Sequence, residues 1–143
     1  MSNTEDAVVK KKSLAKGLIA GLIGGLVGTA AKTFAERISG EFGHHLSDTE
    51  RAVAVGTIHW GFGALTGAAY GALAEYYPAA TAKDGASFGL ALAGLTHETA
   101  LPAMGLSAEP EDQTLRERTS EMTSHVVYGV TTEMVRGFVR RIL

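Results

Sequence analysis

The chain has 143 residues, with 13 Lys and Arg against 15 Asp and Glu, a formal net charge of −2 and no cysteine. That length suits a single domain of about four helices. The charge balance excludes a basic face for nucleic acid, and the missing cysteine excludes disulfides, thiolate metal sites and cysteine nucleophiles. The mean hydropathy of +0.10 is low for an integral membrane protein, but 18 glycines and charged ends and loops dilute it.

Residues 1–12 read as a polar arm, and 13–143 as one four-span membrane domain. The basic run Lys10–Lys12 is followed by glycine-rich sequence with no clear stop, so the first segment is expected to stay as a membrane helix rather than leave as a signal peptide. That segment, about 14–35, carries Gly17, Gly21 and Gly25 at a spacing of four, with Gly24 and Gly28 beside them. Small residues on every fourth position form a flat stripe on which a second helix backbone can sit closely. In water each such glycine weakens a helix by roughly 1 kcal/mol, so the pattern favours a membrane setting.

Residues 36–51 read as an acidic connection, with Ser47-Asp48-Thr49-Glu50 in the spacing of a capping box. The second span, about 51–76, is uncharged from Ala52 to Ala74 and repeats the glycine spacing at Gly63, Gly67 and Gly71. It is long enough to cross a bilayer and is expected to be the strongest span. Tyr76, Tyr77 and Pro78 mark its interfacial end. The third span, about 85–106, loses its uninterrupted apolar character at His97, and the fourth, about 119–139, carries Glu121, His125 and Glu133. The expected fold is all-α, a four-helix transmembrane bundle with glycine-zipper packing, its two polar helices shielded by their neighbours.

Four spans put both termini on one side. The N-terminal arm, the 79–84 connection and the C-terminal end hold eight of the 13 Lys and Arg residues. The positive-inside rule then places the termini in the cytoplasm and the acidic connections outside.

The stretch His97-Glu98-Thr99-Ala100-Leu101-Pro102 is unusual in this setting. It puts an imidazole beside a carboxylate in an apolar run, and Pro102 supplies no N–H to the carbonyl of Glu98. Ionisable groups inside a span usually mark function. Counting about 1.5 Å per residue from the outer ends, His59, His97 and His125 lie roughly 12, 14 and 9 Å deep. On their helices Thr66 and Tyr70 each lie within about 20° of His59, as do Tyr128 and Thr132 of Glu121, with His125 about 40° from Glu121. Turning these stripes inward gathers a polar cluster of His59, Tyr70, His97, Glu98, Glu121 and His125.

Three uses suit that set. Histidines titrate near pH 6.5 as a class, so the cluster can sense or relay protons. Neutral imidazoles with carboxylates can hold a transition metal, with His59, His97 and His125 as candidate ligands. A purely structural network would hold the bundle in register. The two Glu-x-x-His motifs of a di-iron bundle are missing. His44 and His45 read as solvated loop residues, Glu75 as an interfacial pair with Lys83 or a terminal arginine, and Glu133 with Arg136 as a local ion pair. No phosphate loop, serine elbow or catalytic triad appears, and no reaction or required cofactor follows, although metal or haem binding stays open.

Three blocks then combine: His59, Tyr70, Ala74-Glu75 and Pro78; His97, Pro102 and Met104-Gly105-Leu106; and Ser120-Glu121, His125, Glu133 and Arg136. Their joint spacing resembles the YagU family of bacterial inner-membrane proteins, a domain of unknown function, over about 55–143. The resemblance implies a multi-pass inner-membrane protein with a link to acid resistance, and supplies no catalytic residue or cofactor. The expected partners are the lipid bilayer and either further copies of the chain or a larger membrane complex. The alternative to a proton role is an assembly subunit that packs through its glycine faces.

Overall fold

A computed structural model describes residues 11–39, 49–105 and 109–143. The order is α1 (Leu14–Ser39), α2 (Thr49–Tyr76), a 3₁₀ segment (Pro78–Gly85), α3 (Ala86–Leu95), a π turn (Thr96–Ala100), a single turn α4 (Leu101–Ala103), and α5 (Leu115–Ile142). The chain is all-helical, with no strand among the described residues. Helix α1 packs against both α2 and α5, and α3 packs against α5. Both described chain ends meet at one end of the bundle, where Arg140 donates to the Lys11 carbonyl and the Ser13 N–H donates to Glu75.

The punctuation is local chemistry. Thr114 caps α5 by accepting from the Glu117 N–H at 3.2 Å, while the Glu117 carboxylate accepts from the Thr114 N–H at 2.8 Å. This helix therefore starts four residues before the expected Thr119. The box anticipated at Ser47–Glu50 begins outside the described residues, and α2 is helical from Thr49. Lys83, Asp84 and Gly85 turn the chain with positive φ, and Gly105 (φ 68°) ends the α3–α4 rod. Helix α1 runs to Ser39 rather than Ala35, so Glu36 belongs to a helix and not to the loop.

Glycine sets the spacing. A Cβ on Gly67 would lie 2.5 Å from Gly25 Cα, and one on Gly21 would lie 2.7 Å from Gly71 Cα. Gly17, Gly21 and Gly25 thus meet Gly63, Gly67 and Gly71 backbone to backbone. Gly24 and Gly28 form a second face: a Cβ on Gly24 would lie 2.6 Å from the Thr132 carbonyl oxygen of α5. Helices α2 and α3 meet through the stacked rings of Tyr70 and Phe88, 4.2 Å apart. A groove of about 390 Å³ opens beside those rings.

The distribution of side chains is inverted relative to a protein with an oily core. Buried positions hold Ala20, Ala68, Thr29, Thr132, Ser124, His125, Lys32 and Arg140, while Ile58, Leu65, Ile38 and Phe34 are each at least 66% exposed. Among the described residues, only α1 is long and apolar enough to cross a membrane. Helix α2, expected to be the strongest span, is not: its glycines, His59 and Trp60 lower its mean hydropathy although no charge falls between Ala52 and Ala74.

Because the α1–α2 contact leaves no room for a Cβ, Gly67→Ala is expected to lower stability by about 1–3 kcal/mol in detergent. Gly61, with nothing within 4 Å of its Cβ position, should tolerate alanine, with a gain of up to about 1 kcal/mol from helix propensity. Thermal midpoints that fall equally for both variants would show that the glycine contact is not what holds the helices together.

Candidate functional site

Four helical rods meet at the end opposite the termini, and one carboxylate oxygen lies at their centre. Glu121 Oε1 on α5 accepts from Lys32 Nζ of α1 at 3.0 Å and lies 2.9 Å from His97 Nε2 and 3.2 Å from His125 Nδ1. Lys32 also bonds Glu36, one turn further along α1. His125 Nδ1 faces a second acceptor, the Glu121 carbonyl, at 2.9 Å. A ring nitrogen between two oxygens that cannot donate must carry the hydrogen itself. The His97 and His125 rings touch edge to face, with centroids 4.9 Å apart. His59 from α2 lies within electrostatic range of Lys32, Glu36, Glu121 and His125, and its Nε2 is buried without a hydrogen-bond partner.

The local backbone explains why His97 can reach. Pro102 cannot donate, and the rod widens into the π turn at Thr96–Ala100, closed by the Leu101 N–H donating to the Thr96 carbonyl. Gly89 and Gly129 bring α3 and α5 together with no side chain between them, since a Cβ on Gly89 would meet the His125 carbonyl. The site is not sealed. His97 keeps 30% of its side-chain exposure and Glu121 keeps 23%, whereas Lys32 keeps 7%. A groove of about 680 Å³ between the end of α1 and the start of α5, bordered by Ser39, Thr119, Ser120 and Thr123, opens at the same end.

Residues 29–134 match the family described as "Protein of unknown function (DUF1440)". The chain belongs to that family. This is the YagU-like family whose motif spacing the three blocks resemble. No curated protein and no solved structure matches the chain. The part shared with the DUF1440 family contains Lys32, Glu36, His59, His97, Glu121 and His125.

Within that shared part, the structure brings together His97, Glu121 and His125, with His59 adjoining them. Glu98 is not in the group. It turns to Arg118, whose Nε and Nη2 donate to its two oxygens at 3.2 and 2.8 Å. The reason is geometric: consecutive helical residues point about 100° apart, so His97 and Glu98 cannot aim at one spot. Tyr70 also lies elsewhere. Roughly 16 Å further along α2 than His59, its hydroxyl donates to Glu133 at 2.7 Å. Lys32 and Glu36 are the members that the depth argument missed. Their signal is Lys32 itself, a lone charge in a glycine-rich apolar run with a carboxylate four residues on.

The pairs expected at the other end are present. Arg136 donates twice to Glu133, each bond 2.6 Å, and Glu75 pairs with Arg140 rather than Lys83. His44 and His45 lie outside the described residues.

Lys32 serves two carboxylates at once, so Lys32→Met leaves two partly exposed charges short of a cation. A loss of about 1–3 kcal/mol is expected, less than for a fully buried pair, against a smaller loss for Glu121→Gln, which leaves Lys32 with Glu36. Chemical denaturation in detergent measures both; a larger loss for the glutamine variant would contradict this account of the network.

Proposed function

We propose that this chain is a four-span membrane protein of the bacterial inner membrane whose Glu121 cluster takes up protons from the outer compartment. The membrane reading is supported by the inverted surface, in which leucine, isoleucine and phenylalanine face outward around a core of glycine, alanine, threonine and paired charges. The excess of Lys and Arg at the end carrying the termini supports cytoplasmic termini. The Glu121 cluster then lies in the outer half, and a protein that binds protons there fits a role in acid or stress resistance.

The observation that carries the proton reading is the convergence of Lys32, His97 and His125 on one oxygen of Glu121. Imidazoles as a class change charge between about pH 5 and 8, and two of them share the Glu121 oxygen. The charged and titratable groups that face Glu121 are Lys32 and Glu36 from α1, His59 from α2, His97 from the π turn and His125 from α5. The ligand atoms of His97, Glu121 and His125 lie within 4.8 Å of one another, which also suits a transition metal. Lys32 favours the proton: an ammonium already holds the shared oxygen at 3.0 Å, and a divalent ion there would meet a like charge at close range.

Assembly is the second reading. Gly61 and Gly94 have nothing within 4 Å of their Cβ positions, so these small residues do no packing within the chain. The mass of the detergent-solubilised protein tests it, and a strict monomer counts against it.

The proton reading is tested by histidine ring NMR of the protein in lipid nanodiscs between about pH 7 and 5. The His97 and His125 rings are expected to change charge state together, and His97→Ala is expected to alter the His125 profile. Rings that stay in one state, or a His125 profile indifferent to His97→Ala, would sink the proposal.

A further inference from the structure

The polar interior does not stop at Glu121. Residues 121, 125, 128 and 132 of α5 share one face, within about 60° of arc, and 59, 63, 66 and 70 of α2 repeat the same spacing on theirs. The two faces meet. Tyr128 Oη donates to the Gly63 carbonyl at 2.7 Å and lies 2.9 Å from Thr66 Oγ1. Thr66 Oγ1 in turn lies 2.9 Å from the Phe62 carbonyl. Further along, Tyr70 Oη donates to Glu133. Between these fixed points lie buried polar atoms without hydrogen-bond partners, His59 Nε2 near the Glu121 end and Thr132 Oγ1 one turn beyond Tyr128. Thr132 is 0% exposed and faces Gly28, where a Cβ would meet its hydroxyl.

The Tyr128–Thr66 pair has a property that a purely structural contact does not need. The two hydroxyls have two hydrogens, and two carbonyls as well as each other's oxygen to receive them. In one arrangement Tyr128 donates to Gly63 and Thr66 donates to Tyr128. In the other Thr66 donates to Phe62 and Tyr128 donates to Thr66. Both satisfy the pair, and they reverse the hydrogen bond between the two hydroxyls, the outer hydrogen resting on a backbone carbonyl in each case, Gly63 in one and Phe62 in the other. A unit that reverses at little cost is what a proton relay requires after each transfer. Unpartnered buried hydroxyl and imidazole atoms are the kind that internal water satisfies, so His59 and Thr132 mark where water would extend the file on either side of the pair.

We infer that this column passes protons between the Glu121 cluster and Glu133, through the bundle and past the ring of Phe88, which stacks on Tyr70 and tilts against Tyr128 at 5.9 Å. The inference rests on the Glu121 cluster accepting protons. An imidazolium of that cluster releases its proton to the file. Each hydroxyl gains one hydrogen on the Glu121 side and gives up one on the other, so none keeps a charge. The Glu133 carboxylate receives the proton, its pair with Arg136 loosens, and Glu133 then releases the proton to water at the end of the bundle that carries the chain ends. The groups facing Glu133 are Tyr70 of α2 and Arg136 of α5, with the Glu75–Arg140 pair towards the chain ends. From Glu121 to Glu133 the rise along α5 is roughly 18 Å, which leaves about two turns to Arg140 at the end of the bundle.

The test uses full-length protein in liposomes that contain a pH-sensitive dye, with a potassium–valinomycin potential, negative inside, and an external pH of about 5.5. Wild-type protein is expected to acidify the interior at least about ten-fold faster than protein-free liposomes, and Tyr128→Phe and Thr132→Val to lose most of that rate. Thr132→Val keeps the shape of a side chain that is 0% exposed, and its thermal midpoint and histidine NMR profile are measured beside the flux; a lost flux with both at wild-type values is then not a lost fold. Wild-type flux no faster than empty liposomes, with histidines that titrate, would overturn the relay and leave the proton site standing. Flux retained in both variants would equally overturn it. Histidines that do not titrate would remove the underlying site itself.

Discussion

Everything in this bundle depends on the backbone contact that α1 makes on two sides. Gly17, Gly21 and Gly25 admit α2, and Gly24 and Gly28 admit α5, at separations that no Cβ would allow. Helices this close share little space for large side chains. Leucine, isoleucine and phenylalanine are therefore turned outward, where water would penalise them and lipid would not. What remains inside is backbone, alanine, threonine, Lys32 of α1 and the polar groups of α2 and α5.

Close packing also decides how the charges are treated. A buried ion is tolerated when a partner and hydrogen bonds surround it, and is strongly destabilising once the partner goes. Glu133 with Arg136 and Glu75 with Arg140 satisfy that condition as pairs, while Glu98 with Arg118 is partly exposed. Lys32 is different because it holds Glu36 and Glu121 together while two histidines also meet Glu121. The charged groups thus gather towards the two ends of the buried face, with hydroxyls and backbone carbonyls between them. Gly28 and Gly63 bear on that middle stretch directly: a side chain at either position would collide with a threonine hydroxyl, of Thr132 and Thr29 respectively.

The sequence by itself determined the all-helical class, the family, the glycine faces and three members of the site. Period and spacing are local properties, so Gly17, Gly21 and Gly25 could be assigned to one stripe, and Glu121 and His125 to one face, before any tertiary information. Counting depth along each helix also put His97 level with His125. Only the tertiary structure decided which neighbour each face meets, because helix rotation is set by packing between segments distant in the chain. It separated the two glycine faces of α1, brought Lys32 and Glu36 to Glu121, and sent Glu98 to Arg118 and Tyr70 to Glu133. Those outcomes turn on the angle between consecutive side chains and on the close approach that glycine permits. A linear pattern records which side chains share a face, but not which helix that face will meet.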